Sequence, residues 1–199
     1  MSIVLINNGD LCAIASDSRN IKDYVIDDDY QKLFAFSQKK LIVGAIGQST
    51  FKVDGKDREI YDILPDTINK TKTDDLEKCL KGLLENKLHD SLQSFIQLIY
   101  AYIKDEKIYF NIMTLSKDSP KVQLADIKDT WGLAIGVNYV PLSDNIRHKA
   151  LDCPAHFTET IIQTNIDCAR KIYDNLGIIP KIGGDIQSYT LYKNGKLTD

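Results

Sequence analysis

Histidine is scarce in this chain. His89, His148 and His156 are the only three, and none stands at a ligand spacing from another or from a cysteine. That pattern argues against a zinc site. Cysteine is equally sparse: Cys12, Cys79, Cys153 and Cys168 form no CxxC pair. They read as buried free thiols of a reducing compartment, not as a disulfide framework. No apolar run approaches the roughly 18 residues that a membrane-spanning helix needs. The first residues lack the basic start and unbroken apolar stretch of a secretory signal, being interrupted by Asn7, Asn8, Gly9 and Asp10. An excess of positive charge is missing too. Lys and Arg number 25 against 28 Asp and Glu, a net charge of -3, which leaves no electrostatic footprint for nucleic acid. These absences lead to the expectation of a cytoplasmic protein with no membrane or nucleic-acid partner, no metal and no other cofactor.

What is present is ordinary for a globular chain: 43% hydrophobic and 27% charged residues. A length of 199 residues suffices for one domain, 1–199, with a sizeable core. No linker, internal repeat or low-complexity tract divides it.

The apolar pattern orders the elements. Ser2 to Ile6 is β-branched and apolar, 7–10 is turn chemistry, and Leu11 to Ala15 is apolar again, so the chain opens on a β-hairpin. A polar connector, Asn20 to Asp29, ends in three aspartates that read as a solvated loop. A second hairpin spans 32–37 and 41–46. Residues 48–63 read as partly helical, weakened by Gly55. Leu76, Leu80, Leu83, Leu84 and Leu88 recur at helical spacing, with Thr73 or Asp74 as the cap. Residues 94–103 and 107–115 are aromatic and β-branched with a three-residue break, hence a third hairpin. The first of these runs also fits a helix end. Tyr100, Tyr102, Tyr109 and Phe110 read as core and sheet residues. Two more strands are expected at 121–127 and 130–136. A helix follows from Phe157 to Leu176 with one face formed by Ile161, Asn165, Cys168, Ala169, Ile172 and Leu176, stopped by Gly177. A strand and an Asn194-Gly195 turn close the chain. Strands, helices, strands, helix, strands, with hairpins throughout, argue for antiparallel sheets with segregated helices, an α+β class.

The opening hairpin raises a chemical point. A Ser held at a structured chain end can act as a nucleophile when its own α-amine serves as base.

Three stretches carry a family resemblance: "SIVLINNGDLCAIASDSR", "QKLFAFSQKKLIVGAIGQST" and "AIGVNY … IGGDIQSYTL". In order and spacing the chain resembles the N-terminal nucleophile hydrolases, and among them proteasome β-type subunits and the related bacterial ATP-dependent protease peptidase subunit. Roughly 51–95 is unmatched. The resemblance implies a four-layer αββα sandwich of two antiparallel sheets. It implies cleavage of a peptide or amide substrate inside a homo-oligomer, with ring size and any ATPase partner left open. Ser2, exposed by removal of Met1, would be the nucleophile. Lys32 would lie beside it, Asp17 would hold Lys32, and Gly47, or Gly44, would supply an oxyanion-binding N–H.

The sequence also departs from the family. Val137 stands where the family has a supporting Ser, and Ile179 and Ile182 stand where it has Asp and Ser. Counting back from Asp17 places the nucleophile on Met1, not Ser2. Two readings therefore stand: a hydrolase, or a catalytically silent subunit of the same fold that serves as scaffold or shell.

Overall fold

A computed structural model describes residues 2–22, 25–72, 75–125, 134–136, 149–180 and 182–199. The chain gathers into two compact units. Unit 1 comprises 1–42, 101–109 and 128–199; unit 2 comprises 43–100 and 110–127.

The first five-stranded sheet lies in unit 1. It is built from β1 (Ser2–Asn7), β2 (Leu11–Asp17), β12 (Ala134–Gly136), β13 (Ile186–Tyr192) and β14 (Leu197–Thr198), in the order β12-β1-β2-β13-β14. Each adjacent pair is antiparallel. The β1–β2 turn is made by side chains as much as backbone. Asn7 Oδ1 accepts from Gly9 N–H, and Asn8 Oδ1 accepts from the N–H groups of Asp10 and Leu11. This is the local chemistry for which Asn is favoured in turns.

One face of the sheet is covered by α3 (Pro154–Leu176). Val4, Ile6 and Ala15 from the strands pack with Ile161, Ile162 and Ile166 from the helix. The helix begins three residues earlier than the apolar pattern suggests, because Pro154 is pre-set for a first helical turn. It ends where expected, with Gly177 in the left-handed conformation. The expected face is buried only in part. Ile172 is 44% exposed and Leu176 63% exposed.

The second five-stranded sheet has the order β11-β10-β9-β6-β5. Its strands are β5 (Leu33–Phe36), β6 (Leu41–Gly47), β9 (Phe95–Lys104), β10 (Lys107–Ser116) and β11 (Ser119–Leu124). The run at 94–103 is thus a strand. Tyr100 and Tyr102 lie in β9, and Tyr109 and Phe110 in β10; Tyr100 is buried, while Tyr109 is 42% exposed and stacks on Tyr102.

Two small hairpins correct the pattern reading. The connector pairs as β3 (Asn20–Lys22) with β4 (Val25–Asp27). Within 48–63, β7 (Thr50–Val53) pairs with β8 (Lys56–Glu59). Gly55 is not a weak point in a helix but the second residue of an Asp54-Gly55 turn, with φ positive at both. Helix α1 (Ile60–Asn69) follows directly. In the same unit α2 (Leu76–Leu83) runs on through a π turn to Leu88, burying Leu76, Leu80, Leu83, Leu84 and Leu88 as their spacing predicts. The proposed caps Thr73 and Asp74 lie outside the described residues, as do the strand ends at 126–127 and 130–133. Among the cysteines Cys12 is buried and its thiol pushed up by burial, whereas Cys153 is exposed, contrary to the buried-thiol reading.

Candidate functional site

Strand β2 is apolar to Ala15 and ends polar with Ser16 and Asp17; both are buried, as is Ser18 just beyond the strand. Asp17 faces Lys32, the residue just before β5. Lys32 Nζ lies 3.0 Å from Asp17 Oδ2, and neither side chain has exposed surface. The ammonium also donates to the Arg19 carbonyl at 2.6 Å. Asp17 Oδ2 accepts a further bond from Gly183 N–H at 3.2 Å. Two sequence-predicted site residues are therefore in contact. Burial disfavours the charged amine and pulls the Lys32 pKa below the ordinary value of 10.5, with the Asp17 carboxylate opposing that pull.

Ser2 begins β1. Its backbone is paired with Gly136 of β12. The next residue, Ile3, is paired with Ser16, the residue before Asp17. Met1 and Val137 lie outside the described residues. Gly47 belongs to unit 2. Its φ is 104°, and a Cβ there would run into the Phe95 carbonyl oxygen. Glycine at 47 thus has a packing reason of its own. Of the two isoleucines at the family's polar positions, Ile182 is buried and Ile179 is half-exposed.

A clasp surrounds the Lys32–Asp17 pair, and little in the pattern of residues announces it. Arg19 donates from Nε and Nη2 to both carboxylate oxygens of Asp28, at 2.6 and 2.9 Å, and from Nη1 to the Pro180 carbonyl at 3.3 Å. Its own N–H donates to the Gly183 carbonyl at 2.9 Å. The bidentate bond from Arg19 holds the Asp28 carboxyl below its usual range. The Ser18 hydroxyl donates to the Asp28 carbonyl. Gly184 fits here because a Cβ would meet that hydroxyl and that carbonyl. The aspartate cluster is therefore not uniformly solvated: Asp27 and Asp29 are exposed, while Asp28 is tied down. Gln187 completes the surroundings. Its Oε1 accepts from Lys32 N–H at 2.8 Å.

Among the described residues, no group of three or more His, Cys, Asp or Glu is placed to hold a metal ion, and no helix is long and apolar enough to cross a membrane. A cavity of about 610 Å³ lies elsewhere in unit 1, among hairpin turns at Asp10, Lys40, Asp105 and Lys193. Its charges are of both signs, and it holds none of Ser2, Asp17 or Lys32.

Among solved structures, the chain is similar to Thiobacillus denitrificans BPH in complex with epoxomicin. The TM-score is 0.57 at 14% identity, over 96% of this chain and 98% of that one. The fold is proteasome-like. It is the N-terminal-nucleophile-hydrolase fold that the three stretches of sequence resemble. Thiobacillus denitrificans BPH without that ligand gives a TM-score of 0.55 at the same identity and coverage. No protein-family model matches the sequence, and no curated protein does. At this identity the proteasome-like likeness speaks for the path of the chain and not for its chemistry.

Proposed function

We propose that this proteasome-like chain is a hydrolase of the N-terminal nucleophile type that cleaves peptide or amide bonds. The observation that carries the reading is the fully buried Lys32–Asp17 pair at 3.0 Å, with Asp17 one residue beyond the Ile3–Ser16 pairing and Ser2 one residue before it. A buried ammonium is costly to keep without a use. In this reading removal of Met1 frees the Ser2 α-amine. The amine takes the hydroxyl proton as Ser2 Oγ bonds to the substrate carbonyl carbon. The C–N bond then breaks, the leaving amine takes that proton, and water hydrolyses the ester left on Ser2. Lys32 supplies positive charge near the developing negative charge, and Asp17 fixes where that charge sits. Among the described residues, two of the three ammonium donors are used by Asp17 and Arg19.

The same reading takes residues 1–199 as one domain with two antiparallel sheets stacked between helical layers, acting within a homo-oligomer larger than a dimer. Light scattering that gives the monomer mass of 22.5 kDa at working concentration removes the assembly.

A second reading has its own observation. Ile182 is buried where active relatives have a hydroxyl, which fits a silent subunit that acts as scaffold. Intact mass separates the two. The hydrolase requires loss of one Met. Epoxomicin, the molecule bound by BPH, is then expected to add its mass to the Ser2 peptide, and not in Ser2→Ala. Retained Met1 in protein made in cells rejects the hydrolase and leaves the silent subunit.

A further inference from the structure

Gln187 sits in β13, where its backbone is paired with Ser16 of β2. Its side chain serves a different segment. Oε1 accepts from Lys32 N–H at 2.8 Å and from Leu33 N–H at 3.3 Å, and Nε2 donates to the Tyr30 carbonyl at 2.9 Å. Three backbone groups within four residues are thus bound by one amide. Only a side chain carrying acceptor and donor at the same end can do this; a carboxylate lacks the donor and an ammonium the acceptor.

The segment so held carries Lys32 into β5. The Lys32 side chain is long and flexible, and its tip is useful only where its stem begins in the right place. At its tip Nζ meets Asp17 Oδ2 at 3.0 Å and the Arg19 carbonyl at 2.6 Å. At its backbone the N–H meets Gln187. Lys32 is therefore tied at both ends, and the two ties come from different strands of the first sheet: β2 and its continuation at one end, β13 at the other.

We propose that Gln187 is a positioning residue: by holding the N–H groups of Lys32 and Leu33 to β13, it sets where the Lys32 ammonium meets Asp17. The inference rests on the reading of Lys32 and Asp17 as the working pair of the proposed hydrolase. Gln187 itself touches no reacting atom in that reading. It acts through Lys32.

The test uses the full chain with Gln187→Met, which keeps length and volume but removes donor and acceptor. Amide hydrogen exchange at Lys32 and Leu33 is expected to quicken by about tenfold or more, as loss of a hydrogen bond of ordinary strength implies. The Lys32 side-chain titration, followed by NMR, is expected to move toward the ordinary value of 10.5. Faster exchange with an unmoved Lys32 titration overturns the positioning role, because a merely structural tie would alter the first and not the second. Unchanged exchange overturns the contact itself. Should Gln187→Met fail to fold, Gln187→Glu keeps two acceptors and loses the donor. Exchange at Lys32 and Leu33 is then expected to stay within about threefold of the parent, and exchange at unprotected-peptide rates overturns the proposal. Where hydrolysis is measurable, Gln187→Met lowers kcat with KM little changed. A parent protein that hydrolyses nothing or retains Met1 rejects the catalytic reading, while both NMR arms still decide the role of Gln187.

Discussion

Lys32 Nζ and Asp17 Oδ2 lie 3.0 Å apart with no exposed surface on either side chain. Removing one partner takes this ion pair away from a charge that stays buried. Lys32→Met or Asp17→Leu alone is therefore expected to destabilise the fold by about 3–5 kcal/mol, and the double variant to recover most of that loss. Urea denaturation of all four proteins checks this. Losses that simply add would show that the two side chains do not act as a pair.

The same pair sets a pH dependence. Burial, the larger cause, lowers the Lys32 pKa from 10.5 against the attraction of Asp17. Between the folded value and 10.5 the unfolded chain holds a proton that the folded chain has released. The Lys32 contribution to stability therefore rises with pH across that window; it is complete above 10.5 and lost as pH falls through the folded value. A carbon-13 titration of the lysine side chains should find Lys32 releasing its proton earlier than the exposed lysines. A Lys32 midpoint at or above theirs contradicts this.

Ser16 carries a cost of another kind. Its hydroxyl is buried and has no hydrogen-bond partner among the described residues. Its cross-strand neighbours on either side are Ile3 and Gln187. Ser16→Ala removes an unsatisfied polar group, so it should be neutral or stabilising by about 1 kcal/mol. A fall in thermal midpoint of several degrees would mean the hydroxyl has a partner after all.

Gly47 should tolerate no side chain. With φ at 104° and the Phe95 carbonyl in the space a Cβ would take, Gly47→Ala combines backbone strain with a clash. A loss of about 2–4 kcal/mol is expected. The neighbouring Gly44, which has no positive φ, should lose less under the same substitution. Denaturation midpoints compare the two.

Several elements were legible because their causes are local. The first hairpin follows from Asn7, Asn8 and Gly9 beside two apolar runs, and those side chains do make the turn. The end of α3 follows from Gly177, and the leucine spacing of α2 follows from a single buried face. Where local signals conflicted, the reading failed. Residues 50–59 alternate too weakly to announce a hairpin, and only the Asp54-Gly55 turn betrays it. Ile172 and Leu176 continue the helical stripe but are exposed, and no periodicity reports where burial stops.

The sequence by itself determined the alternation of strands and helices and the turn residues, because each depends on neighbours a few residues away; Lys32, Asp17 and Gly47 stood out only through the family resemblance. Only the tertiary structure decided their company. Arg19 meets Asp28 across a hairpin, Gly183 reaches Asp17 from 166 residues along the chain, and Gln187 binds Lys32 from 155 residues away. Such pairings are fixed by which strands lie side by side, and strand order depends on burial summed over the whole chain, a quantity that no short stretch of residues carries.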